Sequence, residues 1–486
     1  MIPMQQTSLA LLTDLYQLTM AYGYWRLGRT SESAAFHLCF RENPFGGGYT
    51  VAGGLDYVAA FLRDFQFDES DLEYLANLEG GDGKPLFCRD FLQYLRQLRL
   101  GCDIDAVPEG TVVFPHQPLL RVTGPLLECQ LLETAVLNMI NFQTLIATKA
   151  SRICAVAREG EVLEFGLRRA QGIDGGLSAS RAAYIGGCAA TSNVLAGKVF
   201  GIPVKGTHAH SWVMSFGDEL EAFSSYAEVM PNNCVFLVDT YDSLQGVRNA
   251  ITIGKKLRIG GQKLHGIRLD SGDLAYLSHQ ARRMLDDAGL NDTKIIASND
   301  LDEHLIRSLN EQGAAITVWG VGTRLATAYD QPALGGVYKL SALKPGADWQ
   351  HKVKVSEQTV KVSTPGILQV RRFSDDRGFA ADMTYDQLLG DNLANMIVHP
   401  LDHTRRKMIE PNWTYEDLLV PVMRAGDVVL DSPPLDHMRK RTMDQLSKLH
   451  AGVRRFDNPH QYPAGLERNL HDLKTRMILE AREPGS

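Results

Sequence analysis

Six short apolar runs in the middle of the chain each end in side chains suited to phosphate, sugar or carboxylate. The clusters are Arg168 and Arg169; Thr207, His208 and His210; Asp239; Arg268, Asp270 and Asp273; Ser298 and Asn299; and Gly320, Gly322 and Thr323. Gly320-Val-Gly-Thr323 precedes a helical pattern. Its glycines let backbone N–H groups approach a phosphate, and a helix dipole favours the charge there; a plain turn reads the same way. Arg168 and Arg169 could clamp a second phosphate or pyrophosphate in bidentate fashion, or simply line an exposed helix. Asp270-Ser-Gly-Asp273 offers hard oxygens to magnesium or a ribose diol. The same four residues could instead form an Asx turn capping the helix from Leu274.

Thr207-His-Ala-His210 is the sharpest local feature. A His-x-His pair on a barrel strand can bind a metal, but that reading needs further histidines at later strand ends. Those ends carry Asp239, Arg268 and Ser298, and His265 precedes its strand. One histidine serving as a nucleophile or acid–base group fits better, with a packed histidine as the structural alternative.

The elements that must hold these residues follow from periodicity. Val162–Gly166, Ile202–Val204, Val235–Val238, Gly266–Leu269, Lys294–Ala297 and Ile316–Trp319 read as buried strands, with helical patterns such as Ser243–Ile253 and Leu274–Ala288 between them. Strand ends recur at about 20 to 40 residues, the length of one βαβ unit. That alternation means a parallel sheet, and ligands of such folds sit at the carboxyl ends of the strands. Six ends carrying charged or glycine clusters describe a barrel mouth.

The flanking texture differs. Residues 1–140 read as an α+β domain, with a helix over Leu11–Tyr24, an extended segment at Ala35–Phe40 and a β-rich stretch over Val107–Gly124. Residues 141–340 form the barrel. Residues 341–486 read as β-rich and helical, with alternation at His351–Ser356 and Lys361–Ser363, and pack on the N-terminal domain. The basic cluster Arg439, Lys440, Arg441, Lys448, Arg454 and Arg455 is diluted by aspartates and reads as a solvated face.

At 486 residues with 44% hydrophobic and 22% charged content, the chain calls for two or three domains with ample core. Fifty basic against fifty-seven acidic residues give a net charge of −7, which argues against a general nucleic-acid binder. No apolar run approaches the about 18 residues of a membrane span, and the opening Met1–Thr7 lacks a basic-then-apolar leader pattern. The seven cysteines are scattered and never in CxxC spacing, as expected of thiols in a reducing cytoplasm.

Taken in order, several strings resemble the nicotinate phosphoribosyltransferase family. They include Leu11-Leu-Thr-Asp-Leu-Tyr-Gln17, Asn43-Pro-Phe-Gly-Gly47, Glu164-Phe-Gly-Leu-Arg-Arg-Ala-Gln-Gly172 and Gly206-Thr-His-Ala-His-Ser211. Asp239-Thr-Tyr-Asp242, Arg268-Leu-Asp-Ser-Gly-Asp273, Ser298-Asn299 and Gly335-Gly-Val-Tyr-Lys-Leu340 continue the series. The resemblance covers roughly residues 10 to 340 and implies a type II phosphoribosyltransferase fold. That fold is an irregular TIM-like α/β barrel with an α+β domain built from both chain ends, in a homodimer with active sites at the subunit interface. It also implies a reaction: nicotinate and 5-phosphoribosyl 1-pyrophosphate give nicotinate mononucleotide and pyrophosphate in NAD salvage. ATP hydrolysis is coupled, and magnesium accompanies the phosphates. Nicotinamide phosphoribosyltransferase, of the same fold, is the alternative; the Leu-Arg-Arg-Ala-Gln-Gly and Thr-His-Ala-His strings resemble the acid-specific enzyme more.

Position by position, the resemblance makes His210 the histidine phosphorylated from ATP. It places Thr207 and Arg268 in the nicotinate pocket, Gly322 and Thr323 on the 5′-phosphate and Arg168 at the pyrophosphate. Tyr16 would reach the pyridine ring of the neighbouring subunit's site. Beyond the family pattern, Asp239 and Asp270 suit magnesium-bound or ribose oxygens, where a carboxylate near C1 would favour a cationic, oxocarbenium-like sugar. His208 receives no catalytic role, and no metal ligand is assigned directly.

Overall fold

A computed structural model describes residues 9–390 and 393–482. The leader reading on Met1–Thr7 falls outside them. The chain divides into two compact units, one from Ile146–Pro332 with Leu435–Met443, the other from Met1–Leu145, Ala333–Pro434 and Asp444–Ser486.

The first unit is an α/β barrel of six parallel strands: β1 (Glu161–Glu164), β2 (Ala190–Thr191), β3 (Val235–Leu237), β4 (Gly266–Leu269), β5 (Lys294–Ala297) and β6 (Val318–Val321). Their order is β2-β1-β6-β5-β4-β3. Both edge strands reach one segment, because Val204 bridges Thr191 and the Leu237 N–H donates to His208 Nε2 at 3.3 Å. Among the described residues no ladder closes this gap, which is why the barrel is irregular. The expected strand Ile202–Val204 shrinks to that single bridge, and Ala190–Thr191 takes the ladder position instead. The last strand begins at Val318 rather than Ile316.

Aspartates start the helices that follow the strands. Asp242, Asp273 and Asp302 each accept a backbone N–H as the N-cap of Ser243–Ile259, Leu274–Asp287 and Glu303–Glu311. Asp273 is therefore a cap, the structural reading of Asp270-Ser-Gly-Asp273. At Gly246 a Cβ would stand 2.0 Å from Val238 O, so only glycine lets the helix Ser243–Ile259 lie on the end of β3. A buried ion network holds the loops after β5 and β6. Glu303 takes Lys149 at 2.7 Å and Arg152 at 2.8 Å, Lys149 also meets Asp330, and Arg324 reaches Asp302 at 3.4 Å. Arg439 of the basic cluster donates to the Gly187 and Cys188 carbonyls at 2.9 and 3.0 Å, so it anchors the helix Leu435–Lys448 rather than facing solvent alone.

The second unit is α+β and draws on both ends of the chain. A seven-stranded sheet runs in the order 350–351, 337–344, 33–39, 120–125, 103–106, 420–424, 427–428. A six-stranded sheet pairs 368–375 with 378–386 and carries 464–467 between 378–386 and 396–398. The alternation at His351–Ser356 yields only Gln350–His351 as strand, and Thr359–Lys361 is a 3-10 turn. No helix of the described residues is long and apolar enough to cross a membrane. All seven cysteines are free.

Candidate active site

Period two places Arg268 and Asp270 on one side of β4 and its extension, with buried Leu269 on the other. The Arg268 guanidinium donates through Nε to Ser298 Oγ at 2.7 Å, through Nη2 to Asp270 Oδ1 at 3.0 Å and more weakly through Nη1 to Thr207 Oγ1 at 3.4 Å. Its Cζ lies 5.8 Å from the centre of the Phe165 ring. Ser298 also donates to Asp270 Oδ1. Burial alone would raise the Asp270 carboxyl, but the Ser298 hydroxyl, the Arg268 charge and hydrogen bond, and His210 together hold it below the ordinary carboxylate value. The ends of β4 and β5 and the segment after the Val204 bridge thus share one hydrogen-bonded group. Only three of the guanidinium's five N–H donors are engaged.

Asp239, at the end of β3, ties in through Oδ2, which accepts the Asp270 N–H at 2.9 Å and the Ser271 hydroxyl at 2.7 Å. Its Oδ1 is buried without a hydrogen-bond partner among the described residues. His210 opens the short helix His210–Met214, with Nδ1 on Thr240 Oγ1 at 3.1 Å. With Nδ1–H donating to Thr240, the Nε2 lone pair is left open, 3.8 Å from Asp270 Oδ2 on a side chain 41% exposed. His208 has the opposite character. Phe223, Tyr226 and Phe236 surround its ring, and burial holds its pKa below the ordinary value. It is the packed histidine of the pair.

The ends of β1 and β6 meet on glycine. A Cβ on Gly166 would stand 2.3 Å from the Ala326 Cβ and 2.9 Å from Gly322 O, and one on Gly320 would stand 2.7 Å from Phe165 Cδ2. Buried Glu164 sets this turn: it accepts the Gly166 N–H, the Ser180 hydroxyl at 2.9 Å and the Thr191 hydroxyl at 2.6 Å. Arg168 and Arg169 then project, exposed, from the 3-10 turn Leu167–Arg169. Gly322 caps the short helix beginning at Thr323, whose first N–H groups have no acceptor within the helix.

His210, Asp239, Asp270, Arg268 and Thr207 therefore lie in one linked group. Phe165 connects it to the Arg168 turn and to Gly322 and Thr323. Tyr16 belongs to the other unit, on the helix Leu15–Arg26, with its side chain 47% exposed. Sequence reasoning grouped Ser298 at a strand end without giving it a role, and passed over Thr240 and Ser271 although each stands at a strand end already singled out. Phe165 gave no signal, because an aromatic residue at a strand end reads as core.

Three family models cover the chain: the nicotinate phosphoribosyltransferase N-terminal domain over residues 11–141, the family's central model over 161–364 and its C-terminal domain over 369–474. The nicotinate phosphoribosyltransferase of Bacillus subtilis (strain 168) is 44% identical over 491 residues, spanning 98% of each protein. The chain belongs to the nicotinate phosphoribosyltransferase family. Among solved structures, human nicotinic acid phosphoribosyltransferase matches with a TM-score of 0.82 at 33% identity, covering 96% of this chain and 100% of that one. Nicotinate-nucleotide pyrophosphorylase of Pyrococcus furiosus, at 22% identity and a TM-score of 0.68, shares the fold.

Proposed function

We propose that this member of the nicotinate phosphoribosyltransferase family joins nicotinate to the ribose of 5-phosphoribosyl 1-pyrophosphate, with ATP hydrolysis coupled through His210. The pyridine nitrogen attacks ribose C1, the C1–O bond breaks, and pyrophosphate leaves with the bonding electrons. The carrying observation is Arg268: two of its N–H donors are unspent beside Thr207 and the Phe165 ring, so a planar carboxylate can be held in bidentate fashion. A neutral amide would forgo that charge-assisted pair, which favours the acid over nicotinamide.

Gly322 and Thr323 suit the 5′-phosphate, and Arg168 the pyrophosphate. Asp270, kept ionised, favours the cationic sugar of the transition state. The residues fit magnesium, since Asp239 Oδ1 is an orphaned hard oxygen and such an ion takes one or two carboxylates plus substrate phosphates. When bound, magnesium supplies charge neutralisation to the departing pyrophosphate. Asp239 for its own part orients the Asp270 backbone and Ser271.

His210 Nε2, with its ring fixed by Thr240, suits attack on a γ-phosphate: the new N–P bond forms as the bond to ADP breaks. A phosphohistidine next to this cluster would strengthen substrate binding. Tyr16 shares an exposed apolar face with Leu12, Leu15 and Met20, which supports a homodimer in which that tyrosine serves the neighbouring site. Seven unpaired cysteines support a cytoplasmic setting.

A product assay with nicotinate, nicotinamide and quinolinate, with and without ATP, tests the reaction; mononucleotide from nicotinate, raised by ATP, is the expected result. His210→Asn should still form product slowly but lose the ATP stimulation. Stimulation that survives the change refutes the coupling role.

A further inference from the structure

The ion pairs behind the loops after β5 and β6 form a circuit. Arg152 Nε stands 2.8 Å from Glu303 Oε1, and Glu303 Oε2 stands 2.7 Å from Lys149 Nζ. Lys149 Nζ also meets Asp330 Oδ2. The other Asp330 oxygen faces Arg324 Nη1 at 3.8 Å, and the same nitrogen is 3.4 Å from Asp302 Oδ2. Asp302 precedes Glu303 and caps the helix Glu303–Glu311, so the circuit returns to its start. Cations and carboxylates alternate along it, and their formal charges cancel.

The two halves of this circuit differ. Lys149, Arg152 and Glu303 are buried, so a change at any of them disturbs buried charge and tests the fold rather than the loop. Asp330 and Arg324 have side chains 38% and 30% exposed. The Arg324 guanidinium lies 4.3 Å from the centre of the Tyr329 ring, and the Tyr329 N–H donates to the Arg324 carbonyl at 3.2 Å. Burial opposes the charge on Asp330, but the Lys149 hydrogen bond and charge, with Arg324 and His304, keep its carboxyl below the ordinary value. Arg324 directly follows Gly322 and Thr323. Asp330 therefore grips that loop from behind, through the Arg324 side chain, while its own anchor is the buried Lys149.

We propose that Asp330 is a positioning residue for the Gly322–Thr323 loop: anchored on Lys149, it holds Arg324 and so keeps the loop set for the sugar 5′-phosphate. This rests on the reading that places the 5′-phosphate at that loop. A loop ordered in advance loses no further freedom when the phosphate binds. The 5′-phosphate is not altered in the reaction, so its grip contributes to the substrate complex and to the transition state alike.

The test is steady-state kinetics of the full-length protein, with nicotinate and ATP saturating and 5-phosphoribosyl 1-pyrophosphate varied. Asp330→Asn should raise KM for 5-phosphoribosyl 1-pyrophosphate about tenfold, with kcat and KM for nicotinate within about twofold of the unaltered protein. Arg324→Met should do the same, and the double variant should be no worse than either alone, since the aspartate acts through the arginine. Asp330→Glu, which keeps the charge, should recover most of the affinity. Arg324→Met leaves the Lys149–Asp330 pair in place, so it carries the test by itself if Asp330→Asn fails to fold. Thr323→Ala separates this inference from the reading beneath it. If it raises the same KM and neither Asp330→Asn nor Arg324→Met does, the phosphate loop stands and the positioning role falls. If none of the three does, the 5′-phosphate lies elsewhere and both fall. Additive effects of the Asp330 and Arg324 changes, or a loss in kcat with KM unmoved, also overturn the proposal.

Discussion

Two of the arginine–aspartate pairs, one in each unit, differ in how fully they are satisfied. In the α+β unit, Arg372 and Asp382 form a buried bidentate pair, at 2.9 and 2.6 Å. Arg372 also donates to Gln445 and to the Val112 carbonyl, Asp382 accepts from Gln117 and the Tyr462 hydroxyl, and the Phe379 ring lies 4.5 Å from the guanidinium. At the barrel rim, Arg268 and Asp270 touch through one bond of 3.0 Å, remain partly exposed and leave donors unspent, next to a carboxylate oxygen with no partner among the described residues. The saturated pair organises a core. The unsaturated one leaves donors that a ligand carboxylate would satisfy under the proposed reading.

Substitutions at the two arginines separate these roles. Arg372→Ala leaves Asp382 buried and unpaired, so chemical denaturation should show a loss of about 3–5 kcal/mol. Arg268→Ala should change stability by less than about 1 kcal/mol, because Asp270 keeps Ser298 and water access, yet lower kcat/KM for nicotinate by about a hundredfold or more. A stability loss at Arg268 as large as that at Arg372 would erase the distinction.

Acidification acts on the α+β unit through another saturated group. His37 is buried, with Nδ1 on Ser341 Oγ at 2.8 Å and Nε2 accepting the Leu368 N–H at 3.1 Å. Burial, assisted by the Arg121 charge, pushes its pKa down to about 3. The unfolded chain takes up a proton near pH 6.5 that the folded chain refuses. The stability this neutral histidine preserves is therefore complete above about pH 6.5 and falls as pH drops toward 3, by at most about 1.4 kcal/mol per unit. His37→Gln should flatten that part of the profile; an unchanged slope assigns the acid sensitivity elsewhere.

Much of the rim was legible because strand ends in a parallel barrel announce themselves. Short apolar runs fix where the chain turns, and whatever polar residue follows must stand at the mouth, which located His210, Asp239, Arg268 and Asp270. One feature escaped this logic. The Ile202–Val204 run looks like a strand, but Ala190–Thr191 competes for the same sheet edge and wins it, since Glu164 and Asn193 both bond the Thr191 hydroxyl.

The central claim is that Arg268 reads the acid group of the substrate. The direct measurement is kcat/KM for nicotinate relative to nicotinamide, in the unaltered protein and in Arg268→Gln. The ratio should fall from at least a hundredfold to near unity, since only the charge-assisted contact distinguishes the two pyridines there. A ratio that survives the exchange contradicts the account.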